Sequence, residues 1–202
     1  MPSPADQRLA AVVLAAGASS RLGRPKQLLP FGDGVLLDVV LDLVRAHPFA
    51  QRIVALGGAA AEVRERVDLA GFDVVLNDDF RSGCSSSIGA SLGAVREDVG
   101  GIVLLLGDQP MMRAESIDAV VAGRGDAPIA VARYRDGIGH PFVLSRATFP
   151  ALSALEGDRG VWRLIERLGT AVARVPVAGR MPADIDTEAD YRALLDEAAR
   201  SA

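Results

Sequence analysis

Lys26 is the single lysine in this sequence, which carries 22 lysine and arginine residues in all. Lysine presents a compact ammonium that binds phosphate as a point charge, whereas arginine presents a planar fork. A chain that uses arginine almost everywhere and keeps one lysine favours a role for that ammonium in binding an anion. The alternative is that the lysine persisted by chance on a solvated loop.

The residues around Lys26 favour the anion site. Residues 9–16 form a short continuous apolar run that ends at Gly17, as expected of a buried parallel strand. The loop that follows contains Arg21, and its glycines, Gly17 and Gly23, allow backbone amides to turn together toward an anion. The loop matches neither the P-loop nor the Gly-x-Gly-x-x-Gly pattern. It therefore predicts a phosphate cradle of another type, although a purely structural strand-to-helix turn is the alternative.

A second group of polar residues follows the apolar run 101–106, where Asp108 lies at the predicted end of a strand. Ligands of parallel sheets bind outside the carboxyl ends of the strands, so Asp108 and Lys26 should meet over one crevice. A carboxylate beside phosphates is repulsive unless a cation lies between them, and Mg²⁺ held by one or two carboxylates is the usual solution. Asp184 and Asp186 offer a second acid. Helix capping explains each aspartate alone as well as metal binding does.

Composition limits the class of protein. Half of the residues are hydrophobic and 4% are aromatic, which predicts an aliphatic core in one domain, residues 9–202, after a tail of residues 1–8. A net charge of −4 argues against a nucleic-acid surface. No apolar stretch approaches the ~18 residues of a membrane span and the N-terminus lacks signal-peptide features, so we expect a cytoplasmic protein with no membrane partner. One cysteine, Cys84, allows no internal disulfide and gives no zinc-ligand spacing.

Apolar runs and amphipathic stretches alternate along the chain without repeats. This alternation predicts a three-layer α/β domain with a mostly parallel sheet. Thr187 is a capping residue for the last helix, with Asp190 three residues further on. The predicted strands cover residues 9–16, 51–57, 72–77, 101–106, 127–134, 139–144 and 172–177, and the predicted helices cover residues 34–46, 59–69, 85–97, 114–123, 146–155, 159–168 and 187–200.

Short motifs follow one another along residues 9–196. They are Leu14-Ala-Ala-Gly-x-Ser-x-Arg-x-Gly-x-Pro-Lys26, Asn77 ahead of Gly83-Cys-Ser-Ser-Ser87, Gly107-Asp-Gln-Pro110, Gly139-His-Pro-Phe142, Gly157-Asp-Arg-Gly160 and Asp184-Ile-Asp-Thr187. In this order they resemble the motifs of the MobA-like nucleotidyltransferases. Within that group, the chain is most similar to the molybdenum cofactor cytidylyltransferases.

The resemblance implies a Rossmann-like nucleotidyltransferase domain. Such a domain would transfer a nucleotidyl group, here CMP from CTP, to the phosphate of molybdopterin and release pyrophosphate. The resemblance also implies Mg²⁺ as the cofactor and a molybdenum hydroxylase as a partner. Ala16 stands where the guanylyl-transferring relatives usually have glycine, which favours cytosine over guanine.

The resemblance also assigns roles to residues by position. Catalysis would depend on Lys26, Arg21 and Asp108, and Mg²⁺ would be held by Asp108 and Asp186. The acceptor would lie toward Gln109, His140, Asp158 and Arg159. The nucleotide would be bound by Leu14, Ala15, Ala16, Gly17, Ser19, Arg21, Gly23, Lys26, Asn77, Ser85, Ser86, Ser87 and Asp108.

The chemistry that these residues allow needs no protein nucleophile, because an acceptor phosphate is already ionised near neutral pH. Two other functions remain open. One is a nucleotidyltransferase that acts on a sugar phosphate or a polyol phosphate. The other is a molybdenum-cofactor binding or delivery protein with little transferase activity. An NAD-dependent oxidoreductase is less favoured, since the dinucleotide fingerprint is absent.

Overall fold

The structure is a computed structural model, and it describes residues 8–201. Of the predicted tail, residues 1–7 lie outside the described residues. The strands are β1 (Leu9–Ala15), β2 (Pro30–Phe31), β3 (Gly34–Val35), β4 (Gln51–Leu56), β5 (Asp73–Leu76), β6 (Gly101–Leu106), β7 (Ile129–Arg133), β8 (Ile138–Ser145) and β9 (Val172–Pro176). The α-helices are α1 (Leu36–Ala46), α2 (Ala60–Arg66), α3 (Cys84–Ala94), α4 (Ala114–Gly123), α5 (Phe149–Ser153), α6 (Gly160–Leu168) and α7 (Glu188–Ser201).

A seven-stranded sheet forms the centre of the fold, in the order β5-β4-β1-β6-β8-β7-β9. All its neighbouring pairs are parallel except those of β8, which runs antiparallel to β6 and β7. The predicted mostly parallel α/β sheet is therefore confirmed. The reversal of β8 was not predicted, because an apolar run has the same composition in either direction.

Helices cover both faces of the sheet, as alternation along β1 shows. Val13 faces one apolar cluster, to which α1, α2 and α4 contribute side chains such as Leu41 and Ile117. Val12 faces the opposite cluster, to which α3, α5 and α6 contribute side chains such as Ile88. Successive side chains of a strand point to opposite faces, so an uninterrupted apolar run fills both layers. The three-layer prediction is confirmed.

The segment before α7 and α7 itself dock on a third apolar cluster. Ile185 and Tyr191 pack there with Leu29 and Leu36, and the Tyr191 hydroxyl donates a hydrogen bond of 2.6 Å to the Pro30 carbonyl. At the start of the helix, the backbone N–H of Thr187 donates to Asp190 Oδ2 at 2.8 Å and the backbone N–H of Asp190 donates to Thr187 Oγ1 at 3.2 Å. These reciprocal bonds confirm the predicted capping pair.

Several predicted boundaries differ from the structure. The helix expected over residues 146–155 is a 3₁₀ turn followed by the five-residue α5, and the helix expected over residues 85–97 ends at Ala94. The short hairpin of β2 and β3 was not predicted. Within the described part of the chain, no helix combines the length and apolarity that a bilayer crossing needs.

Phe142 offers a test of the packing between β8 and α6. It is 1% exposed, and its ring lies edge-on to the partly buried Trp162 at 5.2 Å between centroids. We expect Phe142→Ala to lower the free energy of unfolding by about 3–5 kcal/mol, because it removes a large buried side chain and leaves a cavity. Urea unfolding measures the loss.

Leu195 provides the control for Phe142, since it is an apolar residue that stays 40% exposed on α7. Leu195→Ala should change the free energy of unfolding by less than about 1 kcal/mol. Equal losses in the two variants would contradict the assignment of Phe142 to the core.

Candidate functional site

A crevice of about 560 Å³ lies where β1 and β6, two neighbours in the sheet, reach their carboxyl ends. Its walls come from the loop after β1, the start of α3, the residues after β6 and the segment before α7. This is the position at which open α/β sheets bind ligands. The predicted site residues that line it are Leu14, Ala15, Ala16, Gly17, Lys26, Ser87, Asp108, Asp158 and Asp186.

Lys26 lies between two carboxylates of the crevice. Its Nζ donates to Asp108 Oδ2 at 2.5 Å and to Asp186 Oδ1 at 3.0 Å. The side chains of Lys26 and Asp108 are only 15% and 11% exposed. The structure therefore brings together the three charged residues that the sequence placed in three separate motifs.

The pKa values of this group follow from its charges. Burial alone would lower the pKa of Lys26, but the charge of Asp108 and hydrogen bonds to Asp108 and Asp186 raise it above its ordinary value. Burial alone would raise the pKa of Asp186, but the hydrogen bond and charge of Lys26, together with Arg21, lower it. At neutral pH the lysine is therefore a cation and the Asp186 side chain an anion.

Asp184 is a further carboxylate at the crevice, but it has a different environment. Gln109 Nε2 donates to Asp184 Oδ1 at 2.7 Å and to the Pro182 carbonyl at 3.3 Å. Burial and the nearby charge of Asp108 raise the pKa of Asp184, in contrast to that of Asp186. Gln109 itself is buried and outside the crevice lining, so the structure places it behind Asp184.

The carboxylates at this crevice fit a hard divalent cation. Mg²⁺ and Mn²⁺ prefer oxygen ligands, and Mg²⁺ usually binds through one or two carboxylates together with phosphate oxygens and water. Asp108 and Asp186 offer such oxygens side by side. Over residues 8–200, no group of three or more His, Cys, Asp or Glu side chains could hold a metal ion by itself. The site therefore suits a cation shared with a bound ligand better than a structural metal.

The loop after β1 carries three further predicted residues beside the crevice, which are Ser19, Arg21 and Gly23. Arg21 Nη2 donates to Asp186 Oδ2 at 2.7 Å from a largely exposed position. Ser19 Oγ accepts a bond of 3.0 Å from the backbone N–H of Lys26. Gly23 has a φ of +67°, a left-handed conformation that glycine adopts without strain. Ser19 and Gly23 line a shallow groove beside the crevice.

Asn77 and the serines at the start of α3 form a hydrogen-bonded cluster. Asn77 Nδ2 donates to the hydroxyl oxygens of Ser86 and Ser87, each at 2.8 Å. Ser85 donates to the Gly157 carbonyl at 2.6 Å. Among these four predicted residues only Ser87 lines the crevice, while Ser85 and Ser86 line a separate groove. The cluster thus fixes the start of α3, and Ser87 is its member at the crevice.

The predicted acceptor residues are spread over different places. Asp158 lines the crevice, and its Oδ1 accepts a bond of 3.0 Å from the backbone N–H of Cys84. Arg159 is exposed and pairs with Glu166 at 3.7 Å. His140 lies outside the crevice lining, because β8 carries it beside Phe142, where the two rings stack at 4.1 Å. Contact of Arg159 or His140 with an acceptor stays a prediction that the geometry does not favour.

Sequence reasoning missed several residues of the crevice, among them Gln27, Phe80 and Arg81. Gln27 directly follows Lys26, and an amide in an otherwise apolar stretch was the available signal. Cys84 also lines the crevice, and burial followed by the charges of Asp158 and Asp108 raises the pKa of its thiol to about 11. The thiol is therefore neutral at pH 7.

The fold is the α/β fold of nucleotidyltransferases. A nucleotidyl transferase from Methanothermobacter thermautotrophicus shares the fold with a TM-score of 0.81 at 23% identity, over 96% of this chain and 99% of that one. A family model described as the MobA-like NTP transferase domain matches residues 11–172. The chain belongs to the MobA-like NTP transferase family.

Two relatives that are 31% and 30% identical in sequence have different names. A nicotine blue oxidoreductase from Paenarthrobacter nicotinovorans is 31% identical over 158 residues, which are 74% of this chain and 77% of that protein. The molybdenum cofactor cytidylyltransferase of Escherichia coli is 30% identical over 138 residues, 67% of this chain and 69% of that protein. The family therefore includes relatives in molybdenum cofactor metabolism.

Two solved structures are more similar still. The homologue of Mycobacterium tuberculosis Rv0371c from Mycobacterium sp. strain JC1 is 51% identical, with a TM-score of 0.92 over 97% of this chain and 99% of that chain. A manganese complex of Rv0371c is 42% identical, with a TM-score of 0.85 over 94% and 98% of the two chains. Nucleotidyltransferases of this kind use divalent metals.

His140 provides a pH test of the surroundings of Phe142. Burial lowers the pKa of its ring to about 3, whereas an unfolded chain would bind the proton near the ordinary value of 6.5. The contribution of His140 to the free energy of unfolding should therefore be fully present above pH 6.5 and should fall as the pH drops from 6.5 toward 3. The reason is that the unfolded state binds a proton at this histidine that the folded state does not bind.

We expect His140→Leu to remove this dependence. Between pH 6 and pH 4 the wild type should lose up to about 1.4 kcal/mol per pH unit relative to the variant, as measured by urea unfolding at each pH. Parallel stability curves for the two proteins over this range would show that His140 titrates normally in the folded state.

Proposed function

We propose that this protein is a Mg²⁺-dependent nucleotidyltransferase that transfers CMP from CTP to the phosphate of molybdopterin and releases pyrophosphate. The observation that carries the proposal is the position of Lys26, whose buried ammonium is held between Asp108 and Asp186 at the carboxyl edge of the sheet. A structural ion pair would gain little from burial, since desolvation offsets much of the attraction. Binding of an anionic substrate would explain why a lysine occupies this position.

The residues of the crevice would act by alignment and charge. An oxygen of the acceptor phosphate forms a bond to the α-phosphorus, the bond from that phosphorus to the bridging oxygen breaks, and pyrophosphate leaves with the electron pair. Lys26 and Arg21 would stabilise the charge that builds up on the leaving pyrophosphate. No side chain has to remove a proton, because the acceptor is ionised near neutral pH.

Asp108 and Asp186 would hold the divalent cation, which when bound supplies charge neutralisation between the carboxylates and the phosphates. The manganese complex of a 42% identical relative supports a cation of this class. The choice of Mg²⁺ is part of the proposal.

Cytosine and molybdopterin are proposed from two observations. Ala16 lines the crevice at the position where guanylyl-transferring relatives usually have glycine, and one methyl group discriminates by roughly 1–3 kcal/mol. The molybdenum cofactor cytidylyltransferase among the relatives supports the acceptor. A molybdenum hydroxylase would then be the protein that receives the product.

A second candidate is an oxidoreductase, because one relative is named nicotine blue oxidoreductase. The loop after β1 lacks the Gly-x-Gly-x-x-Gly fingerprint of dinucleotide sites, which speaks against NAD. A transferase for a sugar phosphate or polyol phosphate would use the same loop and cation, and a delivery protein would use the same crevice with little turnover.

Thermal unfolding with separate nucleotides tests the proposal. The purified protein is heated with Mg²⁺ and CTP, GTP, ATP, UTP or NAD, and each series is repeated with EDTA. A ligand at about a hundred times its dissociation constant adds roughly 2.7 kcal/mol, enough to raise the midpoint by several degrees. We expect the largest shift with CTP, and we expect EDTA to abolish it.

Release of pyrophosphate with CTP and purified molybdopterin then tests the transfer itself. A shift led by another triphosphate would contradict the base preference, a shift led by NAD would favour the oxidoreductase, and CTP binding without pyrophosphate release would favour a delivery protein or another acceptor. Sugar phosphates and polyol phosphates serve as the comparison acceptors.

Substitution of either member of the charged pair should lower turnover, and it should also lower stability, because the remaining charge loses its partner. We expect Lys26→Ala and Asp108→Ala each to lower kcat by about a hundredfold or more, because each removes one preorganised electrostatic partner. Lys26→Arg should also impair turnover, since a planar fork does not replace a compact ammonium.

Arg45→Ala is the matched control for these variants. Arg45 also donates to a carboxylate, that of Asp42 at 2.6 Å, but it lies in the last turn of α1. Its removal should leave kcat unchanged. Wild-type kcat in a folded Lys26→Ala or Asp108→Ala protein would contradict the mechanism.

A further inference from the structure

Gln27 is a buried amide directly beneath the loop that follows β1. It lies in the 3₁₀ turn Lys26–Leu28 and is 2% exposed. Its Nε2 donates to the Ala15 carbonyl at 2.6 Å and to the Gly17 carbonyl at 3.3 Å. One side chain thus donates to the carbonyls of the residues before and after Ala16.

These two hydrogen bonds fix the orientation of the neighbouring backbone N–H groups. In a trans peptide the C=O of one residue and the N–H of the next point in opposite directions. When the carbonyls of Ala15 and Gly17 face Gln27, the N–H groups of Ala16 and Ala18 face away from it. Ala16 and Ala18 both line the crevice. Among residues 8–201 the N–H of Ala18 donates no hydrogen bond. The backbone hydrogen bonds within the loop are instead accepted by the Ser19 carbonyl.

The other atom of the Gln27 amide indicates that the residue is not there for packing. Its Oε1 is buried and has no hydrogen-bond partner among the described residues. A buried polar atom without a partner is unfavourable, and an apolar residue of the same shape would avoid that cost. The side chain is therefore better explained by what its two donor bonds do to the loop.

Gln51 shows what a purely structural buried glutamine looks like in the same chain. Its Nε2 donates to Asp73 Oδ2 at 2.7 Å and to the Ala94 carbonyl at 2.8 Å, and its Oε1 accepts from the N–H of Arg96 at 2.9 Å. All of its polar atoms have partners. Gln51 begins β4 at the amino edge of the sheet, and the crevice lies at the carboxyl edge.

We propose that Gln27 is a positioning residue for nucleotide binding. It acts through the backbone, holding the carbonyls of Ala15 and Gly17 toward its own amide so that the amides of Ala16 and Ala18, which point the other way, can donate to the nucleotide. The inference rests on the proposed nucleotide site. It adds that the shape of the loop depends on the hydrogen bonds that one side chain donates to two of its carbonyls.

Two variants of nearly equal size test the role. Gln27→Met keeps the length of the side chain and removes both donor bonds, and Gln27→Glu keeps the shape and, when ionised, cannot donate. We expect each to raise the Kd and KM for CTP by about tenfold or more, the effect of roughly 1.4 kcal/mol of lost binding, while kcat stays within about threefold. Calorimetric titration gives Kd, and pyrophosphate release gives KM and kcat.

Gln51→Met is the matched control. It should lower the urea midpoint of unfolding and leave the Kd and KM for CTP within about twofold of the wild type. If the Gln27 variants lose stability in the same way and bind CTP as the wild type does, Gln27 is only structural and the inference is overturned. If the wild type binds no nucleoside triphosphate, it is the proposed function that fails.

Hydrogen exchange on the wild type keeps the inference testable if the Gln27 variants do not fold. Peptides that cover the loop after β1 are followed with Mg²⁺, in the presence and absence of CTP. We expect bound CTP to slow exchange of the amides of Ala16 and Ala18. Exchange that is unchanged in a protein shown by calorimetry to bind CTP would overturn the inference.

Discussion

The ammonium of Lys26 lies between two carboxylates that reach it from distant parts of the chain. Asp108 follows β6 at the centre of the sheet, and Asp186 precedes α7 near the end of the sequence. A buried lysine and a buried aspartate are stable only as partners, because either charge alone would be costly to desolvate. The geometry of the crevice therefore depends on all three elements being in place at once, which explains why the segment before α7 has its own apolar cluster to dock on, with Ile185 fully buried.

The charges at the crevice do not cancel. Four carboxylates, those of Asp108, Asp158, Asp184 and Asp186, meet three cations, those of Lys26, Arg81 and Arg21. Burial together with the charge of Asp108 raises the pKa of Asp184. A group with surplus carboxylates accommodates a divalent cation readily, and the loop amides beside it accommodate an anion. The proposed cation and anion sites lie side by side, so a metal-bound phosphate would satisfy both at once. Under the proposed function, this complementarity would favour a nucleoside triphosphate over an uncharged ligand.

The sequence predicted the features that depend on general rules. Buried apolar runs predicted the main strands, and the rule that carboxyl ends of parallel strands share one edge predicted that Lys26 and Asp108 would meet. It did not predict Gln27, because the role of that amide depends on the directions of two backbone carbonyls. The reversal of β8 was missed for a related reason, since strand direction depends on connections and not on composition. Contact of His140 with the acceptor was predicted from its motif, whereas its position beside Phe142 depends on the fold.

The preference for lysine at this position follows from space as well as charge. A Cβ added at Gly17 would lie 3.6 Å from the Lys26 Cε, so the lysine stem runs beside the loop after β1. Beyond that point, the Lys26 Nζ lies 2.5 Å from Asp108 Oδ2 and 3.0 Å from Asp186 Oδ1. A guanidinium spreads its charge over a planar fork, whereas an ammonium presents a compact charge with three donors. An ammonium therefore serves both carboxylates from one atom and leaves a third donor for a bound anion, while the exposed position of Arg21 suits the larger fork.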